Sequence, residues 1–199
     1  MKKRIFIGIA ALMVAAVFTG CGKMPNAEID MANVAIDSAR TAGADLYVPE
    51  AYNVLMDSMN AAMVLVEGQN SKFIKSYGEA KEKLSQVALD ARQVMQNAET
   101  RKEELKVSIQ KTVSEVTALL AENRQLIGKA PKGKEGTAAL QAIKNELNVI
   151  EASVADIETM FEKGELLDCN NKAMAAKEKA AAIKAELTQV IAKYNRARK

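Results

Sequence analysis

Among 199 residues there is no histidine and no tryptophan, and there are only two cysteines, three prolines and four each of tyrosine and phenylalanine. Without an imidazole the chain has no general base poised near neutral pH and no histidine to hold zinc or haem. A His-based triad, a zinc site and a haem are therefore nearly excluded. So few prolines, with ten glycines in a chain rich in Ala, Lys, Glu, Leu and Val, leave little punctuation for short strands and argue for long helices. A charge excess is also missing: 28 Lys+Arg stand against 25 Asp+Glu.

What is present begins with an address. Residues 1–20 carry Lys2, Lys3 and Arg4 and then an apolar and small-residue run from Ile5 to Phe18. This reads as a secretory signal, too short to span a bilayer comfortably. Its end, Val17-Phe18-Thr19-Gly20-Cys21, resembles the bacterial lipobox, with Phe18 in place of the usual Leu. That resemblance implies a diacylglycerol on Cys21 and a chain processed to begin there. Ordinary secretory cleavage and an uncleaved anchor are the alternatives. Gly22 is not the Asp that typically retains lipoproteins at the inner membrane in Gram-negative bacteria. The expected location is thus the periplasmic face of the outer membrane, lipid-anchored.

Removing the signal takes away three of the 28 basic residues and leaves 25 against 25 acidic. Both signs are mixed along every segment, so no long-range field steers nucleic acid, and nucleic-acid binding is discarded. Cys169 then lacks an intramolecular partner in an oxidising compartment. It reads first as a small semi-buried apolar residue, with an intermolecular disulfide as the lesser reading.

The processed chain has helical punctuation throughout. Residues 21–26 form a tether, and Asn26 is positioned to cap a helix carrying Ile29, Ala32, Ala35, Ile36 and Ala39. After Gly43 and a turn at Asp45–Glu50, Leu55, Met59, Ala62, Met63 and Val66 continue to Gly68, with Pro49 suited to a first helical position. A long helix is expected from about Ser71 to Ile127, roughly 85 Å if straight. It carries Ala80, Leu84, Val87, Ala91, Val94 and Ala98, then Leu105, Ile109, Thr112, Val116, Leu119 and Asn123. The pattern weakens from Gln96 to Glu104, which reads as a junction between two packed regions. A loop at Gly128–Gly136 precedes a helix with Leu140, Ile143, Leu147, Ile150, Val154, Ile157 and Phe161. The last helix, after Gly164, carries Ala180, Ile183, Leu187, Val190 and Tyr194.

Alternating steps of three and four indicate helices packed through knobs and holes. The expected fold is all-α: an elongated helical bundle of two three-helix segments sharing one long central helix. Its expected units are residues 27–100 and 101–199. Ala80-Lys81-Glu82-Lys83 after Gly68 recurs as Ala176-Lys177-Glu178-Lys179 after Gly164 at an offset of about 96 residues. Duplication and chance both explain this, because Ala, Lys and Glu matches come cheaply in helices.

The stretch from Ala32 through Ala35-Ile36, Ala39-Arg40, Gly43-Ala44 and Tyr47 to Pro49-Glu50, followed by an Ala-, Lys- and Glu-rich helix pair, resembles a family of small bacterial envelope lipoproteins. That family is catalogued only as a domain of unknown function. The resemblance covers roughly residues 21–105 and brings no catalytic residues; Tyr47 and Pro49 read first as turn and packing residues. Some relatives carry the domain beside peptidoglycan-binding domains. The tail, Tyr194-Asn195-Arg196-Ala197-Arg198-Lys199, resembles the end of the major murein lipoprotein of the outer membrane, with Asn195 and Ala197 as additions. That resemblance implies covalent attachment of Lys199 to peptidoglycan; a basic cap on a helix end is the plainer reading.

Other chemistry is thin. Met56, Met59 and Met63 share a helical face and fill cores more often than they ligate Cu(I). Gly128–Lys134 lacks phosphate-loop spacing. The sequence therefore reads as a non-enzyme without cofactor or metal, with a structural or interaction role in the envelope. The expected partners are the membrane and either peptidoglycan or an envelope protein. An accessory helical binding module of an export or transport assembly is the alternative. The sequence does not give the oligomeric state, since apolar seams serve intramolecular bundles and intermolecular coiled coils alike.

Overall fold

The computed structural model describes residues 22–132 and 134–197. The signal segment, Cys21 and Lys199 lie outside the described residues. Every regular element among those described is a helix: α1 (Asn26–Thr41), α2 (Ala44–Tyr47), α3 (Pro49–Asn70), α4 (Gly78–Lys129), α5 (Lys134–Lys163) and α6 (Leu166–Ala197). The chain separates into two compact units, one ending at Arg101 and the other beginning at Lys102. The 52-residue helix α4 runs through that boundary and supplies one helix to each unit.

In the first unit, α1 buries Ala32, Ile36 and Ala39, and α3 buries Tyr52, Leu55, Met59, Ala62 and Val66. They pack with Ala80, Leu84, Val87, Ala91, Val94 and Ala98 of α4 in one core. Asn26 does not cap α1 as expected: Pro25 takes the cap position, Asn26 is the first helical residue, and no side chain bonds the free amides there. Gly43 has φ of 77°, and its N–H donates to the Arg40 carbonyl at 2.7 Å. That left-handed step, strained for a residue with a Cβ, turns the chain. The single-turn helix α2 stands where a turn was expected, and Pro49 opens α3.

One expected boundary moves substantially. Residues 71–77 are irregular, so α4 begins at Gly78 rather than near Ser71. The Gln69 side chain accepts from the Ser76 amide at 3.3 Å, and Asn70 Oδ1 accepts from Lys75 Nζ at 2.9 Å. Polar side chains at the end of α3 thus offer the backbone an alternative to further helix.

In the second unit, α4 contributes Leu105, Ile109, Val116, Leu120 and Ile127, α5 contributes Leu147, Ile150 and Ile157, and α6 contributes Leu166, Cys169, Ala173, Ala176, Ala180, Ile183 and Leu187. Three pairs fix the register of α4 on α6: Ser108 with Asn170, Glu115 with Lys177, and Glu122 with Lys184. Each pair is separated by 62 residues and each lies one heptad beyond the last, so these two stretches run parallel. Within this seam Leu120 is buried and Leu119 only half-buried, reversing the expected choice. Val190 and Tyr194 are more exposed than their spacing suggests. The same register sets Val190 opposite Gly128, where α4 ends, so the last turns of α6 have no α4 surface to cover them.

The two units share a construction detail. Lys81 Nζ reaches Glu28 Oε1 at 3.0 Å, and Lys177 Nζ reaches Glu115 Oε2 at 2.5 Å. The first lysine of each Ala-Lys-Glu-Lys segment thus bonds a glutamate on the first helix of its own unit. Tyr77, Ala80, Leu84, Val87 and Ala91 are buried in one unit, and Ala173, Ala176, Ala180, Ile183 and Leu187 in the other, at the same offset of about 96 residues. The hairpins differ in their connection, which is residues 71–77 in the first unit and only Gly164 and Glu165 in the second.

Candidate interaction surfaces

Most of the residues that carry the resemblance noted in the sequence serve packing, while Arg40, Pro49 and Glu50 are exposed. Ala32, Ile36, Ala39 and Ala44 are buried, and Tyr47 packs partly buried against the same core. Arg40 Nε donates to the Tyr52 hydroxyl at 2.9 Å, and its guanidinium carbon sits 6.0 Å from the centre of the Tyr52 ring. The hydrogen bond to Tyr52 pushes the Arg40 pKa up. Pro49 starts a helix, as the sequence suggested.

The chemically distinctive side chains are likewise enclosed or paired. Cys169 is fully buried in the first turn of α6, within hydrogen-bonding distance of the Ile157 carbonyl at 3.4 Å. Burial pushes its thiol pKa up, which suppresses the reactive thiolate. That is the apolar role expected of it, and an intermolecular disulfide would require the bundle to open. Met59 is buried, and Met56 and Met63 pack half-buried against the same core. No group of three or more Cys, Asp or Glu side chains that could hold a metal ion occurs among the described residues.

Asn123 was not singled out by sequence as more than a seam position. It is fully buried, donates through Nδ2 to the Ala180 carbonyl at 2.8 Å, and leaves Oδ1 without a protein partner. Ala180 makes this bond possible because only a small side chain lets the amide reach the α6 backbone.

Outward features among the described residues include two grooves and one exposed connection. A groove of about 530 Å³ between α5 and α6 is lined by Val149, Ile150, Ala182 and Ile183, with Glu146 and Lys179 on its rim. A second, also about 530 Å³, lies between α1 and α4 and is lined by Met31, Val34 and Met95 together with Asp30 and Arg92. The third is the 71–77 connection, where Phe73 is fully exposed and Ile74 is 81% exposed. Its sequence signal was an apolar pair between Lys72 and Lys75 that belongs to neither flanking three-four seam. Cys21 and Lys199, the two modification sites expected from sequence, are outside the described residues. No described helix is long and apolar enough to cross a membrane. Compared with protein-family models, curated proteins and solved structures, the chain matches none.

Proposed function

We propose that the protein is a non-enzymatic lipoprotein held at the periplasmic face of the outer membrane through Cys21, with a structural or interaction role in the cell envelope. The observation that carries this reading is the Val17–Cys21 segment after a basic and apolar leader. The two bundles present mixed-charge helical faces, and their most distinctive polar groups are paired within the fold rather than converging on a cleft. Such surfaces suit contact with peptidoglycan or an envelope protein, and Lys199 is the residue proposed for covalent attachment to the wall. The α5–α6 groove favours a second reading, an accessory module of an export or transport assembly, because its apolar floor and charged rim suit an amphipathic helix.

Mass spectrometry of the protein from detergent-washed envelopes, with and without muramidase digestion, tests both ends. Acyl chains on Cys21 and a muropeptide on Lys199 are expected for a membrane-to-wall tether. Acylation with an unmodified Lys199 removes the covalent attachment and directs the search to a protein partner. An unmodified Cys21 overturns the anchoring itself.

A further inference from the structure

The most exposed apolar residues of the first unit sit at one of its ends, and that end is the one the chain enters. The Glu28–Lys81 bond, 3.0 Å long, brings the start of α1 beside the start of α4. The tether at Gly22–Pro25 and the 71–77 connection therefore lie together at the same end of this unit. Pro25 and Tyr77 are both buried there, which closes the core beneath them.

Above that closed end the connection is built to project. Its base is held by the bond from the Ser76 amide to Gln69 and by two bonds to Asn70 Oδ1, from Lys75 Nζ at 2.9 Å and from the Tyr77 hydroxyl at 3.4 Å. Between these fixed points Phe73 and Ile74 stand out into solvent. An adjacent aromatic and branched aliphatic pair, each this exposed on a pinned base, is costly to leave in water and inexpensive to bury, because its ordering entropy is already spent. The charge carried by the connection and the tether themselves has one sign. Lys72 and Lys75 flank the pair, Lys23 lies in the neighbouring tether, and no acidic residue occurs in 22–27 or 70–78. The acids bordering this end are Glu28, which is bonded to Lys81, and Glu67 and Glu79, which lie on the helices that flank the connection.

We infer that Phe73 and Ile74 insert into the bilayer surface, with Lys72, Lys75 and Lys23 at the level of anionic headgroups. The inference rests on the proposed anchor, since Cys21 would fix this end of the unit to the membrane. A projecting apolar pair ringed by lysines matches the layered chemistry of that interface, apolar below and anionic above. An apolar pocket on a protein would need only the pair. With an acyl anchor already supplying affinity, the wedge supplies orientation: one covalent point leaves the unit free to tilt, and a second point removes that freedom.

The absence of tryptophan makes the test direct. The full processed chain is purified from membranes as Phe73→Trp and, separately, as Leu46→Trp, and each is placed with vesicles of phosphatidylethanolamine and phosphatidylglycerol, with and without brominated acyl chains. Leu46 is an exposed apolar residue between α1 and α3, at the other end of the same unit. The expected result is a blue shift and bromine quenching at position 73 and neither at 46. Emission at 73 that stays water-like, or shifts without responding to brominated lipid, overturns the insertion; the latter indicates a protein pocket or self-association. The mass of the same sample reads acylation at Cys21 separately. An acylated chain with an unquenched Trp at 73 retains the anchor and loses the wedge, and an unacylated chain quenched at 73 does the reverse.

Discussion

Asn123 shows most plainly how a single residue trades stability for definition. Its Nδ2 is bonded to the Ala180 carbonyl, which is already part of the α6 backbone ladder, while its buried Oδ1 has no protein partner. An unsatisfied buried acceptor costs more than one added bond to an engaged carbonyl returns. Asn123→Leu, of similar size and without polar atoms, is expected to raise the stability of the second unit by about 1 kcal/mol in urea denaturation. A loss of stability would show that the bond outweighs the orphaned oxygen. Sequence spacing placed Asn123 in the seam, but nothing in the sequence says whether a buried asparagine finds partners, because that depends on the side chain facing it. The same limit applies to Leu119 and Leu120: both fit the seam, and only the packed partner helices select Leu120.

At the scale of elements, the paired lysines carry a pH dependence. The side-chain bonds from Lys81 and Lys177 hold the Glu28 and Glu115 carboxyls below the ordinary glutamate value of 4.5. A carboxyl depressed in the folded state adds stability above its unfolded pKa, and that contribution is lost as the pH falls through its folded value. Thermal stability is therefore expected to fall below about pH 4.5. A Glu28→Gln, Glu115→Gln chain should be slightly less stable at neutral pH and lose less on acidification. Both pairs are partly exposed, so added salt should shrink the difference. An acid response identical in the double variant would show that the pairs contribute nothing. Long helices and the stops at Gly43 and Gly164 were legible because three-four spacing over many turns has no strand counterpart. The stops expected at Gly68 and Gly128 were not, since both lie inside helices, and α5 begins at Lys134 before Gly136. The start of α4 was not legible, since Ser71–Tyr77 contains no proline or glycine, and what ends the helix is side-chain bonding by Gln69 and Asn70.

For the whole molecule, each unit has its own buried core although α4 belongs to both. Leu84 and Leu187 are fully or almost fully buried, one in each unit. Truncating either to alanine should cost about 2–5 kcal/mol. Hydrogen exchange is expected to localise that loss: Leu84→Ala should expose amides of α1 and α3 and leave α5 and α6 protected, and Leu187→Ala should do the opposite. Equal deprotection of both units by either variant would mean that α4 couples them into one cooperative block. The division into two bundles was readable from the weak stretch at Gln96–Glu104, where between Ala98 and Leu105 no residue is buried. The projecting pair at Phe73 and Ile74 was not, because helical spacing identifies residues that share a core and is silent about apolar residues that have none.

The heptad-spaced pairs between α4 and α6 give the second unit a way to reject its own misalignments. Sliding α6 so that Lys184 meets Glu115 keeps one ion pair, which by charge alone would make the error inexpensive. The same slide sets Glu122 against Ile191 and brings Leu187 to the place of Ala180, where Asn123 can no longer reach a carbonyl and both its polar ends are stranded. Sliding the other way strains the two-residue link at Gly164 and Glu165, which ties α6 to α5. A repetitive seam of alanines and leucines has little memory of which turn belongs opposite which. One misfit polar residue, received by Ala180 and refused by Leu187 one heptad further on, acts as the notch on a key.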